Sequence, residues 1–276
     1  CCSSLYIRVP RHTAELLNQL QHASGVLVTV ASVDGSGPRE VGAWMAVFPE
    51  ALVNTIGGGH LEFQAIAEAR ALLNSKRQEG ALVNRYALGP ALGQCCGGVV
   101  HLKFEHIALK DMSMLRQRLP SEDKSVALFG GGHVGHALVR VLSALPFQVQ
   151  WIDSRDEIFP TETAANVVCD HSDPVHAAVD TLPSGACVLI MSFSHAEDLD
   201  VVVACLKRQR LHGDLKFIGL IGSKTKWATF QHRLESKGFS AEELAFVTCP
   251  IGVEGITGKE PEVIAVAVAA QLLQQH

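Results

Sequence analysis

The sequence lacks the features that would assign it to the membrane-spanning or the nucleic-acid-binding class of proteins. It has no run of about 18 apolar residues, so no segment is long enough to span a bilayer as a helix. It has no cluster of Lys and Arg, and its formal net charge is −5, so neither a nucleic-acid partner nor a membrane association is expected. With 276 residues, of which 47% are hydrophobic and 18% charged, the composition is typical of a compact soluble protein with two ordinary domains.

A disulfide framework is also missing from the sequence. The eight cysteines form two vicinal pairs and four single residues within apolar segments, a poor arrangement for disulfides. The expected compartment is therefore a reducing cytoplasm.

The segment 94–98 carries one of these vicinal pairs, Cys95 and Cys96, followed by Gly97 and Gly98. Adjacent cysteines bond to each other only with strain in the disulfide and the peptide, so their thiolates remain available to a ligand or a metal. The two glycines let the backbone approach a bound group closely. The alternative interpretation is that both cysteines are small buried apolar residues in a turn.

The periodicity predicts an N-terminal domain at residues 1–122 and a C-terminal domain at residues 123–276, with the polar break Pro120–Lys124 between them. In the first domain, strands are expected at 26–30, 43–48, 82–87 and 99–104, and helices near 15–21, 61–73 and 111–119. The cysteine turn then lies at a tip between two strands. In the second domain, apolar strands alternate with helices, which indicates an α/β fold with a parallel sheet of the Rossmann type.

A glycine motif opens the second domain. Gly130, Gly132 and Gly135 follow a predicted strand and begin a helix, and Asp153 ends the next strand. This arrangement is typical of dinucleotide binding, with backbone N–H groups meeting a pyrophosphate and Asp153 accepting from a ribose hydroxyl. NAD(P) is the first candidate ligand, but the same turn also binds other phosphates or serves packing alone.

A second glycine turn lies in the first domain. Gly57, Gly58 and Gly59 lead into a helix that begins with His60, and a helix start of this kind suits an anionic group. A tight connection between strand and helix explains the turn equally well. Arg39, in the Gly/Pro loop 35–39, offers a guanidinium for a phosphate or carboxylate, or is simply exposed.

Two further segments of the second domain lie near strand ends. His195, Asp198 and Asp200 follow an apolar strand, at the sheet edge where ligands bind in open α/β proteins, although a solvated helix start explains them as well. Ser223, after Gly222, is placed to cap the next helix. The spacing around it does not match a Walker A loop, so ATP hydrolysis is not indicated.

Taken in order, six motifs spread over nearly the full length resemble the XdhC/CoxI family. They are the loop 35–39, the turn 55–62, the cysteine segment 95–98, the Rossmann segment 129–153, the segment 219–224 and the stretch 251–265. The resemblance implies a smaller N-terminal α/β domain followed by a Rossmann-like domain.

The resemblance also implies a function. It suggests a cytoplasmic xanthine dehydrogenase accessory protein that binds molybdenum cofactor, supports its sulfuration by a cysteine desulfurase and delivers it to apo-xanthine dehydrogenase, and it suggests a homodimer. Molybdenum accepts a soft thiolate, and Cys96 is preferred over Cys95 as its ligand. The alternatives are an NAD(P)-dependent oxidoreductase that uses the Rossmann domain and a protein-interaction scaffold that uses this domain only for its shape.

Overall fold

The structure, a computed structural model, describes residues 11–75, 80–88, 98–119 and 124–275. The chain divides into two compact units, one formed by Arg11–Ser121 and the other containing Glu122–His276. They are called the N-terminal unit and the C-terminal unit below, and each is described by itself.

The N-terminal unit is built on a five-stranded sheet with the strand order β3-β2-β1-β5-β4, in which every neighbouring pair is antiparallel. Its elements are α1 (Arg11–Gln19), β1 (Gly25–Asp34), β2 (Trp44–Val47), β3 (Leu52–Asn54), α2 (Gly59–Leu73), β4 (Leu82–Ala87), β5 (Val99–Ile107) and α3 (Met112–Arg118). β1 pairs with β5, which follows it by more than sixty residues, so the centre of the sheet is formed by a long-range contact.

The strand register brings three connections to one edge of this sheet. Asp34 at the end of β1 lies opposite Val99 at the start of β5, and Ala87 at the end of β4 lies opposite the same residue. On the other side of β1, Asn54 at the end of β3 lies opposite Met45 near the start of β2. The connections β1–β2, β3–α2 and β4–β5 therefore all leave the sheet at the same edge.

The helix α2 packs on this sheet through one face. Leu61, Ala65 and Ala69 are fully buried, and their spacing of four residues places them in one row along the helix. They join a core that includes Leu102 and Phe104 of β5. This packing fixes the start of α2, and with it the glycine turn, near the edge where the three connections meet.

The C-terminal unit contains a six-stranded parallel sheet with the order β11-β10-β9-β6-β7-β8. Numbered within the unit, this is the order 3-2-1-4-5-6 of dinucleotide-binding Rossmann domains. The elements are β6 (Lys124–Phe129), α4 (His133–Leu142), β7 (Phe147–Asp153), β8 (Val167–His171), β9 (Cys187–Ile190), α5 (His195–His212), β10 (Phe217–Leu220), α6 (Lys224–Ser236), α7 (Ala241–Leu244), β11 (Val247–Thr248) and α8 (Pro261–Leu273).

Two apolar cores form in this unit, because its central strands are buried on both faces. Phe129 and Ile152 belong to one core, together with buried residues of α5. Leu128 and Trp151, one position earlier on the same strands, belong to the other, together with α4 and α8. The predicted fold class is confirmed. The short strands β3 and β11 were not predicted.

Candidate functional site

Three of the predicted motifs meet at one edge of the N-terminal unit. Gly98 ends the cysteine segment, and a Cβ at this position would lie 2.5 Å from the Ser36 carbonyl oxygen and 2.6 Å from that of Asp34. The β1–β2 connection in turn contacts the glycine turn, because a Cβ at Gly57 would lie 2.6 Å from the Pro38 Cβ. The loop 35–39 therefore packs between the base of the cysteine segment and the start of α2.

The glycine turn already holds a carboxylate of its own chain. Glu62 Oε2 accepts hydrogen bonds from the backbone N–H groups of Ile56 at 3.0 Å and Gly58 at 3.2 Å, and from the Thr55 hydroxyl. This carboxylate therefore satisfies donors that an external anion would otherwise use. An anionic ligand at this helix start must displace Glu62 or bind beside it.

Arg39 lies against the same turn, with its guanidinium 3.4 Å from the Thr55 carbonyl oxygen. It also donates to Glu40, with the shortest contact at 2.7 Å. The hydrogen bonds from Arg39 lower the pKa of Glu40 to about 2. Arg39 is thus placed at the candidate site, where its charge is balanced by Glu40.

Two exposed rings mark the start of α2. His60 is exposed, and its ring centroid lies 6.3 Å from that of Phe63, which is 70% exposed. An apolar ring with this exposure next to a glycine turn provides a surface for a planar ligand.

Cys95, Cys96 and Gly97 lie outside the described residues, so their assignment to the site stays a prediction. Both strands that flank them are present, and the Leu88 N–H group donates to the Gly98 carbonyl oxygen at 2.8 Å. The two ends of the β4–β5 connection are thereby held together at the edge described above.

The glycine loop of the C-terminal unit is tightly packed. Gly130 has φ of +124°, and a Cβ there would lie 2.0 Å from the Met191 carbonyl oxygen. A Cβ at Gly135 would lie 2.1 Å from the Gly130 carbonyl oxygen, which also accepts from Trp151 Nε1 at 3.0 Å. A Cβ at Gly132 would meet no atom within 4 Å. Packing explains Gly130 and Gly135, whereas Gly132 faces open space.

Asp153 is engaged within this loop. Its side chain is 1% exposed, and its Oδ2 accepts from the Gly131 N–H group at 2.6 Å. Arg155 donates to both carboxylate oxygens, through Nε at 2.9 Å and through Nη2 at 3.0 Å. Burial alone would raise the pKa of Asp153, but these hydrogen bonds outweigh it and the pKa is lowered.

These contacts bear on dinucleotide binding. The Asp153 carboxylate, which would meet a ribose, is already bound to the Gly131 N–H group. Arg155 also donates to this carboxylate. The ribose acceptor of a dinucleotide site is therefore already engaged, whereas Gly132, the second glycine of the motif, stays open to a phosphate.

The residues after β9 are only partly as predicted. Asp198 is buried and accepts from the Ser192 N–H group at 2.7 Å and from Lys226 Nζ at 2.6 Å, so it fixes the loop that precedes α5. His195 and Asp200 are exposed and do not join it. Ser223 caps α6 as predicted, accepting from the Lys226 N–H group.

The described residues contain neither a metal-binding cluster nor a membrane-spanning helix. Within residues 11–75, 80–88, 98–119 and 124–275, no three His, Cys, Asp or Glu side chains lie close enough together to hold a metal ion. In the same ranges, no helix is both long and apolar enough to cross a membrane.

The fold defines a class of protein in which an antiparallel-sheet unit precedes a Rossmann domain of 3-2-1-4-5-6 strand order. Residues 126–272 match the model of the XdhC Rossmann domain, and residues 19–87 match that of the XdhC and CoxI family. The chain belongs to the XdhC and CoxI family.

The chain is also similar to individual known proteins. The chain is 25% identical over 258 residues to the uncharacterised protein YqeB of Escherichia coli, covering 92% of this chain and 44% of YqeB. It therefore spans less than half the length of this curated relative. A crystal structure described as a xanthine dehydrogenase from Bacillus halodurans covers 95% of both chains with a TM-score of 0.75 at 20% identity, which shows the same fold. A Rossmann-fold NAD(P)-binding family protein from Shigella flexneri covers 55% of this chain and 89% of its own, with a TM-score of 0.37 at 15% identity.

Proposed function

We propose that this protein is an accessory factor of the xanthine dehydrogenase system, which binds molybdenum cofactor, supports its sulfuration and delivers it to the apo-enzyme. The observation that carries this proposal is the convergence of Gly98, which follows the cysteine pair in sequence, the Arg39 loop and the glycine turn at one sheet edge. Family membership supports the link to xanthine dehydrogenase, and so does the similarity in fold to the Bacillus halodurans protein that is described as one.

The chemistry of this edge suits a molybdenum cargo. A thiolate is a soft ligand, and Cys96, two residues before the anchored Gly98, is the proposed molybdenum ligand. Cys95 is the second candidate for the same role. Gly98 packs against the Asp34 and Ser36 carbonyl oxygens, at the start of the loop that contains Arg39. The guanidinium of Arg39 suits the phosphate of the pterin.

The glycine turn has a different role in this proposal from the one its sequence predicts. Glu62 accepts from the backbone N–H groups of Ile56 and Gly58, and Gly57 packs against the loop 35–39, so the turn holds this loop to the start of α2 instead of binding the phosphate itself. His60 and Phe63 then line the approach to the site.

The direct test is the Cys96→Ala variant, with Cys95→Ala beside it and Cys169→Ala in the C-terminal unit as the matched control. Each protein is loaded with molybdenum cofactor and passed through gel filtration, and the retained molybdenum and pterin are measured. We expect Cys96→Ala to lose retention by about tenfold or more, equivalent to about 1.4 kcal/mol, while circular dichroism stays unchanged. Wild-type retention by Cys96→Ala would contradict the ligand role.

Delivery and sulfuration need a separate measurement. Loaded protein is mixed with apo-xanthine dehydrogenase, with and without a cysteine desulfurase and cysteine, and urate formation is followed. We expect activity only when the loaded protein and the sulfur source are both present. Equal activation by free cofactor and by loaded protein would remove the delivery role.

An NAD(P)-dependent oxidoreductase is not favoured by the C-terminal unit. Asp153, which this alternative needs as a ribose acceptor, is buried and bound to Gly131 and Arg155. Loss of NAD(P) binding in an Asp153 variant would not be diagnostic, because such a variant also opens the loop. Titration of the wild-type protein with NADH is the cleaner measurement, and saturable binding would revive this alternative.

A further inference from the structure

The outer face of α5 carries two charges that its own surroundings do not balance. α5 buries one face against the sheet, and Asp200 and Lys207 are exposed on the opposite face. Within the described residues, neither side chain forms an ion pair or a side-chain hydrogen bond. The positions three and four residues away on α5, where a helical partner would stand, offer no opposite charge to either of them. Both charges are therefore available to a partner.

The two charges are arranged symmetrically about the middle of α5. Asp200 stands three residues before Val203, and Lys207 stands three residues after Ala204. The helical repeat places these four residues on one side of α5. Val203 and Ala204 are half-buried and have short side chains, which allow another helix to approach closely between the charges.

An open groove runs beside this face. It has a volume of about 850 Å³ and lies between α5 and the short 3-10 helix Val175–Thr181, with Ala177 in its wall. Leu211, one turn beyond Lys207, lines the same groove and is 75% exposed. The charges and a large apolar side chain therefore border a space that a partner can enter.

A second copy of α5, running antiparallel to the first, has the complementary pattern. In a two-fold symmetric contact, a residue i of one copy meets residue j of the other, and j meets i. With the axis between Val203 and Ala204, Asp200 faces the partner's Lys207, and Lys207 faces the partner's Asp200. One such contact contains two ion pairs. A parallel pairing of the two helices would instead bring like charges together, which is unfavourable.

We propose that the outer face of α5 docks a second copy of this chain through antiparallel, two-fold pairing of the two α5 helices. The same axis sets Leu211 beside the partner's Ala196, because these residues stand seven positions after Ala204 and seven before Val203. Ala196 is exposed, so the leucine has room at this place. The surface belongs to the C-terminal unit alone and shares no residue with the proposed molybdenum site.

Reversal of single charges tests the pairing. Asp200→Lys gives a chain with two positive charges at these positions, and Lys207→Asp gives one with two negative charges. Each variant repels its own second copy, so we expect the dissociation constant of its dimer to rise by roughly 10- to 100-fold in sedimentation velocity measured over a dilution series. An equimolar mixture of the two variants pairs opposite charges at both places and should form a heterodimer with about the affinity of wild type.

Control variants separate this surface from others. Glu254→Lys reverses an exposed charge elsewhere in the C-terminal unit, and we expect it to leave dimerisation unchanged. Leu211→Ala should weaken the dimer by roughly tenfold, because each copy loses buried apolar surface. Leu273→Ala, at a partly exposed leucine in the last turn of α8, is its matched control and should have no effect. Circular dichroism confirms that each variant is folded.

Three outcomes would overturn the inference. Wild type that stays monomeric at the highest concentration reached has no such contact. A dimer that neither charge reversal weakens is formed through another surface. Two weakened variants that fail to associate when mixed would show that Asp200 and Lys207 do not face each other across the contact.

Discussion

Single residues show where sequence patterns mislead about chemistry. Asp153 was correctly predicted to end the second strand of the Rossmann unit, because apolar periodicity fixes that strand. Its partner could not be predicted, because Arg155, two residues later, turns back onto it and the Gly131 N–H group reaches it across the loop.

The Asp153→Asn variant tests the structural role of this carboxylate. It removes a charged acceptor from Gly131 and Arg155, and we expect a loss of about 3 kcal/mol in the free energy of unfolding, because a buried pair is broken on one side. Denaturant unfolding of wild type and variant at pH 7 measures this loss in the free energy of unfolding. Unchanged stability would show that the loop does not depend on Asp153.

The pH dependence of the same variant provides a second readout. Because folding lowers the pKa of Asp153, its stabilisation is fully present above the unfolded value of about 3.9 and is lost as the pH falls through the folded value. The difference in stability between wild type and Asp153→Asn should therefore shrink in acid. A constant difference between pH 7 and pH 3 would contradict this linkage.

At the scale of elements, pairing decides what lies together. The individual strands of the N-terminal unit were largely predicted from periodicity, but the pairing of β1 with β5 was not, because alternation contains no information on distant partners. That pairing brings Gly98 to the loop 35–39 and so assembles the candidate site. In the C-terminal unit, local βαβ connections made the sheet predictable, whereas the two-residue strand β11 is too short to leave a pattern.

The glycine loop before α4 gives a matched pair of substitutions. Gly135→Ala places a Cβ against the Gly130 carbonyl oxygen, and we expect it to cost about 1 to 3 kcal/mol of stability through overpacking. Gly132→Ala meets open space at a negative φ, so we expect it to change stability by less than about 0.5 kcal/mol. Thermal unfolding of both variants checks this difference, which equal melting temperatures would contradict. Gly132→Ala is then a suitable variant for testing whether any phosphate approaches this loop.

The whole molecule contains separate cores. The cluster around Leu102 draws only on the N-terminal unit, and the clusters around Phe129 and Leu189 draw only on the C-terminal unit. The described residues of the proposed molybdenum site likewise belong to the N-terminal unit alone. The molybdenum site should therefore depend on the stability of its own unit, a dependence that a pair of core substitutions can resolve.

Leu102→Ala and Leu189→Ala form this pair, because both leucines are fully buried in a central strand. Each substitution leaves a cavity that costs about 2 to 5 kcal/mol. Since none of the described core clusters includes residues of both units, we expect native-state amide exchange to accelerate from β1 to β5 in Leu102→Ala and from β6 to α8 in Leu189→Ala. Mass spectrometry of peptides measures this pattern. Acceleration of the whole chain by either variant would mean that the units unfold together, and the molybdenum site would then lose its ligand in both variants.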